Sequence, residues 1–253
     1  MSQRRFTWNV VVDALELIRL QAAAWGLRLY AERLDALETF ARLLSDYEEA
    51  NVIGTHSVRE VLLEHVLDSL SCLLFGPLGD AGRLADVGSG GGLPGLPLKI
   101  VAPRLGVTLI EATGKKARFL RRAIETMSLG RVEVLNRRVE ELGRKGDHRG
   151  VYDVTTARAV ARLSVVAEYC VPLLRIGGHA ISMKGRLEGE EVLAGERAAE
   201  ILGAEVQEII RVPRLPEIGE KQRSLVVLRK VRETPNRYPR GVGAPAKKPL
   251  GMV

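Results

Sequence analysis

Residues 85–100 read ADVGSGGGLPGLPLKI, and no other stretch constrains the fold as tightly. A short apolar run, RLADV at 83–87, leads straight into five glycines between 88 and 95. A strand that ends in so much bare backbone and then enters a helix opens its carboxyl edge to a ligand. Two frames fit. Residues 90–95 spell G-x-G-x-x-G, the dinucleotide fingerprint. Asp86, Gly88, Gly90 and Gly92 also alternate as acidic-x-Gly-x-Gly-x-Gly, the form in which backbone packs against S-adenosylmethionine (SAM). No Gly-Lys-Ser/Thr follows the glycines, which excludes a phosphate loop of the Walker type. Glu111 ends the next strand-like run, about twenty residues on, where a carboxylate can accept hydrogen bonds from both ribose hydroxyls.

The surrounding pattern is α/β. Strand-like runs RLADV, GVTLIEA, RVEVLNR, YDVTTAR, HAISMKG, EVQEIIRV and SLVVLRKV follow one another from Arg83. Helical patterns separate the first five and precede the sixth, which predicts a parallel sheet covered on both faces. Only PRLPEIGEKQ joins the last two runs, so they are expected as an antiparallel pair at one edge. The expected fold class is a Rossmann-like class I methyltransferase sheet with an N-terminal helical extension. The division expected is 1–80 helical extension, 81–231 core and 232–253 basic extended tail, with FGPLGDAG at 75–82 as a linker. Leu34, Leu37, Phe40, Ala41 and Leu44 recur at helical spacing. Ser57 with Glu60 three residues on suggests a helix start. The tail from Thr234 holds four prolines and three glycines, and its low apolar content predicts an extended chain.

Charge and cysteine usage narrow the class further. The formal net charge is +7, and residues 232–253 hold five basic side chains against one acid. This balance is compatible with a polyanionic partner. No apolar run is long enough to span a bilayer, so no membrane association is expected. Cys72 and Cys170 are expected as buried, inert thiols in a cytoplasmic protein. His56, His65, His148 and His179 show no metal-ligand spacing, and no metal site is expected. His65 and Asp68, one helical turn apart, read as hydrogen-bonding residues between helix and core. Lys115, Lys116, Arg118, Arg121 and Arg122 read as a solvated basic helix face. Aromatic residues make up only 4%, too few for base-stacking platforms. Phosphate contacts and substrate shape are expected to carry any RNA recognition.

The motifs DVGSGGGLPGLPLKI, LIEATGKKARFLRRAI, RVEEL, ARAVA and MKG together closely resemble the RsmG (GidB) family. EHVLDSLS upstream and TPNRYPRGVGAPAKKPL downstream extend the resemblance over roughly residues 60–253. The resemblance implies a bacterial small-subunit ribosomal RNA guanine-N7 methyltransferase, with SAM as methyl donor. The implied acceptor is a guanine in the helix 18 loop of 16S rRNA, on the small subunit or an assembly intermediate. By the same resemblance the cofactor contacts would be Gly88 and Leu93, then Glu111, Ala112 and Thr113, with Val139 and Glu140 flanking the adenine and Arg158 after the fourth strand. The chain departs from the family at NVIGTHS (51–57), where the usual Asn-Leu-Thr segment keeps only Asn51.

The residues agree with that chemistry. Guanine N7 is a lone-pair acceptor without a proton, so its methylation requires no general base, and positioning and field suffice. The Asn/Asp-Pro-Pro-aromatic turn of amino methyltransferases is replaced by TTARAVA, and neither cysteine is placed as a nucleophile. Arg158 suits the methionine carboxylate or a nucleotide phosphate. Lys184, at the end of the fifth strand, suits the target's phosphate. Four alternatives stay open: a SAM methyltransferase acting on another RNA, one acting on a small molecule or a protein, an NAD-dependent dehydrogenase, and a non-enzymatic RNA-binding assembly factor. A monomer is expected.

Overall fold

The computed structural model describes residues 2–49, 51–144 and 146–252. Seven strands form one sheet in the order β3-β2-β1-β4-β5-β7-β6. They are β1 (Arg83–Val87), β2 (Gly106–Ile110), β3 (Val132–Leu135), β4 (Tyr152–Arg158), β5 (Leu174–Lys184), β6 (Ala204–Arg211) and β7 (Ser224–Lys230). The pairs among β1–β5 are parallel. Strand β7 enters antiparallel between β5 and β6. The connection between β6 and β7, residues 212–223, carries only a 3-10 turn (Pro216–Ile218) and no crossover helix, so the chain returns antiparallel. The class I methyltransferase sheet and its antiparallel edge are thus as expected.

Strand β5 begins earlier than expected, at Leu174 rather than His179. Gly177 takes φ +80°, and a Cβ on Gly178 would lie within 3.0 Å of the carbonyls of Asp153, Arg175 and Tyr152. The register slips opposite them, between Tyr152 and Val154. The glycines that suggest a break therefore form a bulge inside the strand.

Both sheet faces are buried, and alternation assigns each side chain to a face. Leu225 and Val227 of β7 join one cluster, and Val226 and Leu228 join the other. The first cluster is covered by α1 (Ser2–Ala24), α2 (Ala31–Ser45) and the helical segment 58–74, together with α5 (Gly95–Val101) and α6 (Gly114–Thr126). That segment comprises α3 (Val58–Glu60), a π-helical turn (Val61–Val66), α4 (Leu67–Leu70) and a 3-10 turn (Ser71–Leu74). Ile18, Phe40, Leu62 and Leu67 pack in one core with Leu84 and Leu109 of the sheet. The N-terminal helices are therefore part of the central core, not an appendage to it. Ser57 caps α3 by accepting from the Glu60 N–H at 3.3 Å, while the Glu60 carboxylate accepts from the Thr55 hydroxyl. The expected linker is ordered as a 3-10 turn (Gly76–Asp80) with Phe75 and Leu78 buried.

The second face is covered by α7 (Val139–Leu142), α8 (Leu163–Cys170) and α9 (Gly189–Leu202). The tail, expected to be extended, folds over this side and forms a short helix, α10 (Ala244–Lys247). Tyr238 is buried in the second cluster. Polar bonds hold the rest. Arg149 donates to the carbonyls of Thr234, Tyr238 and Gly143, and Arg144 donates to that of Pro239. The Gly243 N–H donates to Glu140 at 2.9 Å, and Arg240 forks onto the fully buried Glu168. Low apolar content did not leave this segment free, because arginines and carboxylates tie down its backbone. Both cysteines are buried, with the Cys170 thiol pushed up to about 12 by desolvation.

Candidate functional site

The glycine loop leaves β1 in left-handed backbone. Gly88, Gly90 and Gly92 have φ of +71°, +55° and +84°, values that favour glycine because a Cβ would crowd the backbone. The buried Asp86 organises the turn. Its carboxylate accepts from the Gly95 N–H at 3.1 Å and the Thr156 hydroxyl at 2.9 Å, and its backbone carbonyl accepts from Ser89. Burial, partly offset by these bonds, raises its pKa to about 6.

Glu111, at the end of β2, straps the loop. One oxygen accepts from the Gly90 N–H at 2.9 Å and the other from the Thr113 N–H at 2.7 Å. A carboxylate offers about four lone-pair sites, so two bonds leave capacity for a ligand hydroxyl. A cleft of about 160 Å³ opens beside it, lined by Gly88, Glu111, Ala112, Thr113, Val139 and Glu140, with Val160 and Tyr169 as apolar wall. Six of the residues expected at a cofactor therefore meet in one place. Gly90, Gly92 and Leu93 do not line that cleft. A Cβ on Gly92 would strike Leu96 and Leu120, and Leu93 is buried in the core. On the Cβ side of Gly90 the nearest atom is 3.9 Å away, so a valine there is disfavoured by its positive φ, not by lack of space.

A second cavity of about 290 Å³ shares Val160 with the first and is lined by Arg158, Met183, Lys184 and Arg223. Ala159, at the junction, holds φ +52°, a strained conformation for a residue with a Cβ. Neither basic residue expected at this position is free. The Arg158 guanidinium donates to the His65 carbonyl at 3.0 Å and to His65 Nδ1, and lies 3.8 Å from Asp68. Lys184, expected to hold a phosphate, instead donates to the Ala161 carbonyl and pairs with Glu191 at 2.7 Å. It braces the loop after β4. Arg223 contacts Asp68 at 3.2 Å and Glu64 at 3.6 Å. Sequence periodicity carried no signal for Arg223, because it follows a loop and its acid partners lie about 155 residues upstream.

His65 and Asp68 thus tie the helical segment 58–74 to β4, as the reading of helix–core bonding expected. Burial, followed by the Arg158 charge, depresses the His65 pKa from 6.5 to about 4, against the opposing pull of Glu60 and Glu64. The ring is neutral in the fold and accepts at Nδ1. Because the unfolded chain binds the proton more readily, His65 contributes stability in full above about pH 6.5 that is lost as pH falls towards 4. Between pH 7 and 5 the melting temperature of the wild type should fall more steeply than that of His65→Gln. The expected gap is about 1 kcal/mol, half the unscreened value because the ring is part-exposed. Parallel slopes would remove His65 from the acid limb.

Among the described residues no cluster of three or more His, Cys, Asp or Glu could hold a metal, and no helix is long and apolar enough to cross a membrane. Of the five basic residues expected on a solvated face of α6, Lys115, Arg118, Arg121 and Arg122 are exposed and Lys116 is half-buried.

The sheet order, the left-handed glycine loop and the acidic residue ending β2 define the Rossmann-like fold of class I methyltransferases. Two solved structures share that fold at low identity. A putative sarcosine dimethylglycine methyltransferase from Galdieria sulphuraria superimposes with a TM-score of 0.54 at 10% identity, covering 79% of this chain and 99% of that one. A geranyl diphosphate C-methyltransferase from Streptomyces coelicolor gives 0.50 at 13%, covering 80% and 100%. Residues 33–226 match the family described as GidB, rRNA small subunit methyltransferase G. The ribosomal RNA small subunit methyltransferase G of Rubrobacter xylanophilus is 58% identical over 251 residues, 99% of this chain and 96% of that protein. Its namesake from Pelotomaculum thermopropionicum is 42% identical over 236 residues, 93% and 98%. The chain belongs to the GidB family of small-subunit rRNA methyltransferases.

Proposed function

We propose that this protein transfers a methyl group from SAM to N7 of a guanine in the helix 18 loop of 16S rRNA, on the small subunit or an assembly intermediate. The observation that carries the reading is the cleft at the carboxyl ends of β1 and β2, where Gly88, Glu111 and Glu140 converge, in a chain of this family.

The residues fit SAM. Gly88 is bare backbone at the cleft, and a Cβ there would lie 2.9 Å from Val160. Glu111 keeps acceptor capacity for a ribose, and Val139, Val160 and Tyr169 offer apolar surface to an adenine. When bound, SAM supplies an electrophilic sulfonium methyl. The chain itself fixes position. Glu111 holds the loop through Gly90 and Thr113, and Asp86 holds the turn behind it. Arg158 and Arg223, both held by Asp68, line the second cavity beside the cleft, which is where the acceptor base would enter. No residue of the cavity has to remove a proton, since N7 carries none. Orientation and electrostatic preorganisation are what the protein contributes.

We infer further that the protein works as a monomer in the cytoplasm, where its two buried free thiols stay reduced. Incubation with labelled SAM and unmodified small subunits should place label on one 16S guanosine as 7-methylguanosine. Label on another RNA or a small molecule alone would favour those substrates, and binding of rRNA without label would favour an assembly factor.

A further inference from the structure

A cavity of about 720 Å³ lies outside the site described above and continues it. Its position follows from register. Arg158 of β4 pairs with Met183 of β5, Lys184 pairs with Ser224 of β7, and Ser224 pairs with Arg211 of β6. These residues fall in two adjacent rows at one end of the sheet, Arg158–Met183 and Lys184–Ser224–Arg211. The groove runs along the second row, past Ser224 and Arg211, and Arg223 lines both it and the second cavity. Cleft, acceptor cavity and groove therefore follow one another along a single edge.

The lining of the groove is amphipathic. Leu187, Ile209 and Val212 form an apolar floor, and Arg186, Arg211 and Arg223 form the rim, with no acidic lining residue. Arg223 is paired with Asp68 and Glu64. Arg186 and Arg211 are exposed and make no ion pair with any described residue. Two solvated guanidinium groups over exposed apolar surface match the alternation of phosphate and unstacked base in a single strand. An acidic peptide would satisfy the rim but gives no reason for the groove to run into the acceptor cavity.

We propose that the single-stranded RNA flanking the target guanine lies in this groove, with Arg186 and Arg211 on its phosphates and a base against the Leu187–Ile209 floor. This rests on the function proposed above. The test compares the full-length wild type, the Arg186→Gln/Arg211→Gln double variant and Arg104→Gln, an exposed arginine before β2 at the opposite sheet edge. Each is measured for binding to unmodified 16S rRNA from 50 to 200 mM salt, for SAM affinity by calorimetry and for methyl transfer. With about 0.7 of salt slope per phosphate contact on a single strand, the double variant should lose about 1.4 of slope. Over that salt range the wild type should then lose about sevenfold more affinity than the variant. KM for RNA should rise, while kcat, SAM affinity and the Arg104→Gln slope stay unchanged. A wild-type slope and KM in the double variant would overturn the groove. So would normal rRNA binding with lost binding of polyglutamate, which would assign the groove to an acidic protein. The slope reads the groove and the label reads the reaction. A wild type that binds rRNA and transfers no methyl therefore overturns the proposed activity separately.

Discussion

Glu111→Ala should weaken SAM binding by roughly 10- to 150-fold, the worth of one charge-assisted hydrogen bond at about 1.5–3 kcal/mol. The structure adds a second consequence. Glu111 accepts from the Gly90 and Thr113 N–H groups, so the alanine variant leaves two loop donors without their acceptor. The melting temperature should fall by a few degrees as well, at about 2–4 °C per kcal/mol for a chain of this size. Glu111→Gln should do less harm to the fold, because its amide oxygen can still accept one of the two bonds. Calorimetric titration with SAM and thermal melting read the two effects. Unchanged affinity in Glu111→Ala would remove this carboxylate from the cofactor cleft.

Arg240→Ala should be the most damaging single change in the tail. The Arg240 guanidinium donates through Nε and Nη2 to both oxygens of Glu168, with the shortest contact at 2.6 Å. Glu168 is fully buried in α8. Removing the arginine strands a buried carboxylate with only the Arg240 N–H on it, and breaking a buried pair costs about 3–5 kcal/mol. A fall of about 6–20 °C in melting temperature is expected at the conversion above. The double variant Arg240→Ala/Glu168→Gln should recover part of it, since the desolvated charge is gone. An unchanged melting temperature in Arg240→Ala would show that the tail is not a clasp.

That clasp marks a boundary of what the sequence could disclose. The strands were legible because both buried faces impose apolar runs, and the antiparallel edge was legible because PRLPEIGEKQ holds no helical pattern to serve as a crossover. The fold of the tail was not. It depends on Arg149, Arg144, Arg240 and Glu140 meeting backbone or carboxylate partners 72 to 103 residues away, and such polar bonds have no period. The N-terminal helices were visible as helices, but nothing local told that Phe40 and Leu62 share a core with the sheet.

The site divides the same way. Gly88, Glu111, Ala112, Thr113, Val139 and Glu140 converge because each sits just beyond a strand end, a position that spacing and resemblance both reach. Which way a glycine faces is a matter of loop geometry, so Gly92 turned out to pack on Leu96. Lys184 looked free because its partner Glu191 lies beyond a turn. Arg186 and Arg211 belong to different elements, and only the register through Ser224 brings them to one groove.

The central claim is that this chain methylates one guanine of 16S rRNA through the Glu111 cleft. Mass mapping of 16S rRNA from cells lacking the protein tests it most directly. One 7-methylguanosine in the helix 18 loop should be missing, restored by the wild-type chain and not by Glu111→Ala. An unaltered 16S modification pattern in the deletion strain would contradict the claim.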